Sequence, residues 1–253
     1  MEVQSNDGKV VTEKYNVFVF DQPDKYIQIA RAKLNSSNKA ESPVAKKAPK
    51  RRSVFHWLQN QWSVPRDPIC TKESILTTDT LEALHFFLPL RFQIGQSSQV
   101  FNSLDDGVSI QNFLHKMGPY CASLIAVKTS RNEVFGAFCS TSWKDRHESK
   151  KDLKFFGTGE TFLFCCSPKF RIFPWVGWTR NELVDAPVEL SSSLFLAANS
   201  STIVIGGGGD SGIRFLSDLS RGYTGPCSTF NSPPLCDSRD FLVAVIEAYG
   251  LNY

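Results

Sequence analysis

The sequence predicts an α+β fold in which an antiparallel β-sandwich of two sheets is flanked by a few helices and preceded by a disordered N-terminal tail. Short segments rich in aromatic and β-branched residues follow one another closely after residue 120. No helix-length pattern separates them, although parallel strands would need such crossovers. Two helical patterns precede these segments, and residues 35–52 contain hardly any large apolar side chain. The expected hairpin connections argue against a Rossmann-type sheet.

Length and composition indicate one domain of ordinary size with a tail. The chain has 253 residues, of which 42% are hydrophobic. We expect a mostly disordered tail with a basic linker over residues 1–72 and a folded domain over 73–253. The sequence has no apolar run long enough to span a bilayer, and its first residues lack the apolar core of a secretory signal. It therefore predicts a soluble, intracellular protein.

The positive charge is concentrated in the tail. Six Lys/Arg residues against Glu41 give residues 39–52 a net charge of +5, which leaves −2 for the rest of a chain whose total is +3. A slightly acidic domain lacks the basic face that nucleic-acid binding requires, so no nucleic-acid partner is expected.

Two helices precede the strands. Residues 80–88 have a helical pattern that Pro89 ends. In the second helix Ser109 is a suitable N-cap, and Gly118 with Pro119 supplies a stop. Its apolar positions fall on one face at i, i+3, i+4 and i+7: Ile110, Phe113, Leu114 and Met117.

The strands begin with a hairpin. Residues 122–129 and 134–141 flank a short polar loop that suits an antiparallel turn. Five further strands are predicted at 161–166, 169–175, 201–205, 212–216 and 241–248. The alternating run 15–20 is another strand candidate, without an obvious partner strand.

One glycine pattern needs a test for nucleotide binding. Gly207, Gly209 and Gly212 match a dinucleotide fingerprint after a strand-like segment. The residues that follow are interrupted too soon to form the helix that holds a pyrophosphate, and a P-loop Lys-Ser/Thr pair is absent. The structural alternative is that the glycines let a strand pass close beneath aromatic side chains, or form a bulge.

Cysteines and histidines do not suggest a metal site or a cofactor. The number of cysteines, seven, is odd, and four lie in strand-like segments typical of reduced core thiols: Cys121, Cys139, Cys165 and Cys166. The four histidines make no short pair with a cysteine, so we predict no metal and no cofactor. Oxidation of Cys227 or Cys236, both in loop-like sequence, remains open.

Glu160 is the polar residue of greatest interest, because it follows Gly157, Thr158 and Gly159 within a row of phenylalanines. A carboxylate in this setting must be paired, bonded to backbone N–H groups or exposed on a loop. Two interpretations stay open: Glu160 caps the turn, or it contacts a partner or ligand.

The basic run abuts an aromatic segment. Lys46, Lys47, Lys50, Arg51 and Arg52 precede residues 54–62. That segment holds the potential interfacial anchors Phe55, Trp57, Leu58 and Trp62. A solvated linker, an anionic-membrane contact and a nuclear-import signal are all compatible, and the tryptophans favour membrane over nucleus.

Several segments, in order, resemble the TLDc domain family over about 180 residues. They are residues 88–91, 101–107, 134–138 followed by Trp143, 156–160, 205–209 and 227–231. Residues 218–222, 227–236 and 245–250 are most similar to the TLDc part of Skywalker-type proteins, which join a TBC Rab-GAP domain to TLDc. This chain lacks the TBC motifs, so GAP activity is not expected of it. Thr161 stands where the family often has cysteine.

The resemblance implies a non-enzymatic interaction module in vesicle and synaptic traffic and in oxidative-stress resistance, with vacuolar proton pump subunits as partners. It implies a cytoplasmic protein, peripheral on vesicle or endosomal membranes and presynaptic, that meets Rab/Arf-pathway GTPases through a longer TBC-containing form. We expect partner contacts at Gly157, Thr158, Gly159, Glu160, Gly206, Gly207, Gly208 and Gly209. We expect membrane contacts at Lys46, Lys47, Lys50, Arg51, Arg52, Trp57 and Trp62.

Two alternatives remain. The first is a cysteine-based antioxidant enzyme or redox sensor, which the family's oxidation-resistance phenotype and the seven thiols motivate. The second is a scaffold for traffic proteins.

Overall fold

The computed structural model describes residues 74–146, 153–167, 169–177 and 193–253. It also places the backbone of four two-residue strands, which are β1 (Val3–Gln4), β2 (Val10–Val11), β3 (Phe18–Val19) and β4 (Trp62–Ser63). The rest of the predicted tail lies outside the described residues. With it lie six of the seven predicted membrane contacts, namely Lys46, Lys47, Lys50, Arg51, Arg52 and Trp57.

The helices begin at side-chain caps or at proline. They are α1 (Thr78–Phe87), α2 (Leu90–Ile94), α3 (Ser103–Asp106), α4 (Ile110–Met117) and a 3-10 helix (Trp143–Asp145). The predicted N-cap of α4 is confirmed, because Ser109 Oγ accepts from Asn112 N at 3.3 Å. Pro89 ends α1 as predicted, but the sequence did not reveal that it also starts α2.

The remaining strands form antiparallel sheet, as predicted. They are β5 (Gln96–Asn102), β6 (Ala122–Thr129), β7 (Val134–Cys139), β8 (Phe162–Cys165), β9 (Arg171–Pro174), β10 (Leu196–Ala198), β11 (Thr202–Ile205), β12 (Ile213–Leu216), β13 (Arg221–Tyr223) and β14 (Asp240–Asn252). Neighbouring strands pair in the order β10-β11-β12-β13-β14-β6-β7-β8-β9-β3. The early strand candidate thus finds a partner, since Phe18 pairs with Ile172.

The long strand β14 joins two halves of this sheet, one formed with β10 to β13 and the other with β5 to β9 and β3. Its first residues pair with β13, and its later residues pair with β6 on one side and β5 on the other. The register shifts between Val243 and Val245 and again between Ala248 and Tyr249. Such irregularities bend a strand, which lets one strand serve two sheet segments.

The half of the sheet centred on β6 is buried on both faces. Ile125 and Val127 face the core that also receives α4 and the strands β10 to β12, whereas Leu124 and Ala126 face the core beneath α1 and α2. Side chains from both halves share the first core, an arrangement compatible with the predicted two-sheet sandwich. Strand β6 is therefore packed on both faces.

Candidate functional site

The first glycine loop, residues 157–160, leaves the sheet at an isolated bridge between the two halves. Phe156 N donates to Leu196 O at 2.7 Å, and Leu196 N donates to Phe156 O at 3.0 Å. Gly157 has φ +107°, a conformation that favours glycine, and Thr161 N donates to Thr158 O at 3.1 Å to close the turn. The glycine loop is therefore anchored at both ends.

Trp175 sets the shape of this loop from the side. A Cβ built on Gly159 would lie 2.2 Å from Trp175 Cε3, and one built on Gly177 would lie 2.4 Å from Trp175 Cη2. The indole also packs edge-on against Phe195, with ring centroids 5.6 Å apart. Gly159 is thus needed for close packing against an aromatic ring.

Hydroxyl groups tie the loop to the end of β7. Ser140 Oγ is hydrogen-bonded to Thr158 Oγ1 at 2.7 Å and to Thr161 Oγ1 at 2.9 Å. Ser140 N donates to Thr161 Oγ1 at 3.3 Å. The hydroxyl of Thr161 is therefore a structural acceptor in this chain.

Glu160 is paired with a helix residue that sequence reasoning did not assign to the site. Arg91 Nη1 donates to Glu160 Oε1 at 2.7 Å, and Arg91 Nη2 contacts Glu160 Oε2. This is the bidentate geometry that makes Arg–carboxylate pairs strong and directional. Both oxygens of Glu160 accept from Arg91, so the carboxylate joins the loop to α2. We call these two residues the Arg91–Glu160 pair.

The Arg91–Glu160 pair is held in place but reaches solvent. The guanidinium carbon of Arg91 lies 4.5 Å from the Phe92 ring centroid and 5.9 Å from that of Tyr253. The side chains of Arg91 and Glu160 are 41% and 30% exposed. The hydrogen bond with Glu160 raises the pKa of Arg91 above its usual value. In the sequence, Arg91 stands out only as the end of the Leu-Pro-Leu-Arg segment. It lies 69 residues before Glu160, so local spacing does not reveal the pair.

The second glycine loop, residues 206–209, is held by backbone bonds on two sides. Gly206 N donates to Phe195 O at 2.7 Å, and Gly207 N donates to Leu194 O at 2.9 Å. On the other side, Ser228 N donates to Gly208 O at 3.0 Å. The glycines at 206, 208 and 209 all have positive φ, between +79° and +87°. Strand β12 follows this loop, so no helix N-terminus is available for a pyrophosphate.

Residues 194–196 pack against both glycine loops. A Cβ on Gly157 would meet Phe195 Cβ at 3.1 Å, and one on Gly207 would meet Phe155 Cζ at 2.9 Å. This is the close aromatic packing expected of the glycines. Of the eight predicted contact residues, Thr158 and Gly209 are exposed, whereas Gly206 and Gly207 are buried. The surface of the second loop is therefore formed by Gly208 and Gly209.

A buried carboxylate that the sequence did not single out anchors the start of the domain. Glu247 on β14 is 2% exposed. Its Oε2 accepts from Ser74 Oγ at 2.9 Å, Ile75 N at 3.1 Å and Tyr249 Oη at 3.0 Å. Burial and the negative charge of Glu247 raise the pKa of Tyr249. This cluster joins residues more than 170 positions apart in sequence.

Burial favours the protonated form of several thiols. Burial raises the pKa of Cys139 and Cys165 to about 12 and that of Cys227 to about 11. Cys227 lies in loop-like sequence, and its oxidation was left open, but the residue is only 2% exposed because Phe230 and the second glycine loop cover it. Cys236 is half-buried, and burial raises its pKa to about 12.

Trp62 is the only predicted membrane-contact residue with a described backbone, and it pairs with Ser97. In the described parts of the chain, no helix is long and apolar enough to cross a membrane. Within the same parts, no group of three or more His, Cys, Asp or Glu side chains is arranged to hold a metal ion.

Comparison with known proteins identifies one domain family. A sequence model of the TLDc domain matches residues 69–252. The GTPase-activating protein skywalker of Drosophila melanogaster is 39% identical over 173 residues, covering 67% of this chain and 29% of that protein. TBC1 domain family member 24 of Xenopus tropicalis is 30% identical over 216 residues, covering 72% and 38%. Oxidation resistance protein 1 of Xenopus tropicalis is 30% identical over 189 residues, covering 74% and 20%. The chain thus spans well under half the length of each relative.

Proposed function

This chain belongs to the TLDc domain family, and we propose that it is a non-enzymatic interaction module that binds the vacuolar proton pump. Its relatives are named as a GTPase-activating protein, a TBC1 domain family member and an oxidation resistance protein. From this context we infer a role in vesicle traffic, synaptic vesicles included, and in oxidative-stress resistance. Because the chain spans only part of those relatives, contact with Rab/Arf-pathway GTPases is proposed only for a longer TBC-containing form.

The observation that supports a binding role is the Arg91–Glu160 pair beside the first glycine loop. It is a charged group with fixed geometry, partly exposed and held by ring stacking, so little side-chain freedom would be lost when a partner binds. Exposed apolar side chains lie beside it on α2, Leu90 and Ile94. Arginine is enriched among the residues that dominate protein interfaces, and exposed apolar side chains beside it are typical of an interaction site.

The same geometry favours binding over catalysis. Arg91 engages both Glu160 oxygens, so the carboxylate is occupied in an ion pair. The raised thiol pKa values keep Cys139, Cys165 and Cys227 protonated at neutral pH, whereas a reactive cysteine needs thiolate. These facts support the interaction module over the redox alternative.

The experiment compares binding of purified pump to the wild-type chain and to Glu160→Ala and Arg91→Ala. Lys116→Ala is the matched control, because it breaks another partly exposed pair, Lys116 Nζ to Asp106 Oδ1 at 2.5 Å. We expect each site variant to weaken binding roughly tenfold or more, about 1.4 kcal/mol, with the control unchanged. Equal binding by folded Glu160→Ala would remove this pair from the interface. No binding by the wild type would reject the pump as partner.

Membrane attachment is proposed for the tail, through Lys46, Lys47, Lys50, Arg51 and Arg52 with Trp57 and Trp62 as anchors. This contact would place the protein on vesicle or endosomal membranes. Five basic residues near an anionic surface contribute about 1 kcal/mol each, and salt screens that attraction. We expect the wild type to sediment with anionic vesicles at low salt, and a variant with all five changed to Gln to remain in solution. Sedimentation of both would show that this run is not the contact.

A further inference from the structure

Strands β12, β13 and β14 present an outer face on the side opposite the core. Their inner side is closed, since Phe215 and Phe241 are buried and a Cβ built on Gly222 would lie 2.3 Å from Phe241 Cζ. Because side chains alternate across a strand, the neighbours of these three residues point away from the core. Two of those neighbours, Leu216 and Leu242, are 50% and 53% exposed. Two large apolar side chains are therefore open to solvent on this face.

The strand register arranges the outward side chains in two rows. Arg221 on β13 lies opposite Leu242 on β14. On its other side Arg221 lies opposite Leu216, by continuation of the register that pairs Arg214 with Tyr223. The first row thus places one arginine between two leucines, about 5 Å from each. The second row, two residues away along the strands, holds Arg214 and Tyr223. We call these five residues the β12–β14 face.

The two arginines of this face are available to bind an anion. Arg221 is exposed and Arg214 is half-buried. Within the parts of the chain that the structure describes, neither guanidinium makes a hydrogen bond or an ion pair. A third exposed arginine, Arg131, lies at the β14 edge of the face, because the preceding Ser130 N donates to Leu242 O at 2.9 Å. Arginine binds carboxylates in a bidentate manner, so this grouping favours an acidic partner.

The acidic groups near the face are mostly bound within the chain. Asp218 Oδ1 accepts from Ser220 N at 2.9 Å and from Ser220 Oγ at 2.6 Å, and these bonds lower the pKa of Asp218. Asp210 Oδ2 accepts from Tyr223 Oη. Asp240, opposite Tyr223 at the start of β14, is exposed. The open charge of the face is therefore mainly positive, which complements an acidic surface.

An amphipathic helix matches the spacing of the first row. The distance from Leu216 to Leu242 is two strand spacings, about 9.6 Å, and residues i and i+7 of a helix are about 10.5 Å apart. Residues i+3 and i+4 lie between them on the same side of the helix. Apolar residues at i and i+7 would therefore meet the two leucines while carboxylates at i+3 and i+4 meet Arg221. Arg214, a diagonal neighbour about 7–8 Å from Arg221, is within reach of the second carboxylate.

We propose that the β12–β14 face docks an acidic amphipathic helix of a protein partner. Its carboxylates bind Arg221 and Arg214, and its apolar side packs on Leu216 and Leu242. This contact goes beyond the proposed function, because it uses neither the Arg91–Glu160 pair nor the two glycine loops.

The test measures binding of a designed peptide to the full chain by fluorescence anisotropy. The probe is an alanine-based helix of about 16 residues with a neutral label, leucines seven positions apart, and glutamates three and four positions after the first leucine. A matched peptide has glutamine in place of both glutamates. We expect the acidic probe to bind roughly tenfold more tightly at low salt, because the matched peptide has no carboxylate for the arginines.

Variants of the full chain identify the face. Arg214→Gln with Arg221→Gln should weaken binding of the acidic probe roughly tenfold, because both cations are lost. Leu216→Ser with Leu242→Ser should weaken it by a similar factor, because the apolar contact is lost. Lys144→Gln removes an exposed cation outside this face and should leave the affinity unchanged. Melting temperatures confirm that each variant is folded.

Several results would overturn the proposal. They are absence of binding by the wild type, equal affinity for the two peptides, and wild-type affinity in either double variant. Sedimentation equilibrium without peptide tests a second occupant of the face, and we expect a monomer. A wild-type dimer that is lost in Leu216→Ser with Leu242→Ser would instead assign the face to a second copy of this chain.

Discussion

Replacing Gly159 with alanine tests how the first glycine loop obtains its shape. The added Cβ would lie 2.2, 2.6 and 2.8 Å from Trp175 Cε3, Cζ3 and Cδ2, whereas ordinary contacts begin near 3.4 Å. The indole must therefore move by about 1 Å, and it also packs closely on Gly177, where an added Cβ would lie 2.4 Å from Trp175 Cη2. Overpacking of this kind costs about 1–3 kcal/mol, and loss of the Trp175–Phe195 edge contact adds about 0.5–1.5 kcal/mol.

The assay is urea unfolding at neutral pH, supported by melting temperature. For a domain of this size about 2–4 °C is lost per kcal/mol. In a Trp175→Ala background the clash is absent, so Gly159→Ala should then change stability by less than about 0.5 kcal/mol. If Gly159→Ala costs the same with and without the indole, or is neutral in the wild type, then Trp175 does not shape this loop.

Three further predictions concern buried polar groups and thiols. Glu247→Ala should lower the free energy of unfolding by about 3 kcal/mol or more, because three donors lose their carboxylate acceptor. Tyr249→Phe should lower it by about 1 kcal/mol. Similar urea midpoints for the two variants would contradict this prediction. The free energy of unfolding should fall as pH rises above about 8.5, because thiols ionise there in the unfolded chain. In the folded state Cys139, Cys165 and Cys227 stay protonated, so each contributes a loss of about 1.4 kcal/mol per pH unit. Unfolding curves at pH 8 and pH 10 measure that slope, and a flat profile would refute the burial argument. Thiol labelling of the native protein at neutral pH should be slow at these three cysteines, and one fast-reacting thiol among them would favour the redox alternative.

Local patterns predicted much of the fold. Helix α4 and its cap depend on residues within one turn, and the hairpin of β6 and β7 depends on two alternating runs around a short loop. Strands β5, β10 and β13 were missed because their segments are short or rich in Ser, Gln and Ala. They exist through pairing with neighbours, which propensity does not report.

The candidate site was likewise predicted only where local sequence was sufficient. The glycines and Glu160 were recognised from composition, but the partner of Glu160 lies on a helix of five residues that begins at a proline. The sequence contains 28 Lys and Arg residues, and local spacing does not identify which one reaches Glu160. Burial of Cys227 was missed for a related reason, since Phe230 and the second glycine loop cover it only after folding.

The most direct test of the binding surface is an exchange of its charges. Arg91→Glu combined with Glu160→Arg retains an ion pair but reverses its orientation at the surface. Its affinity for purified pump is measured by biolayer interferometry beside the wild type, with melting temperature confirming that both are folded. The proposal predicts a folded variant whose binding is weakened roughly tenfold or more. Wild-type affinity in the exchanged variant would show that the Arg91–Glu160 pair only supports the fold.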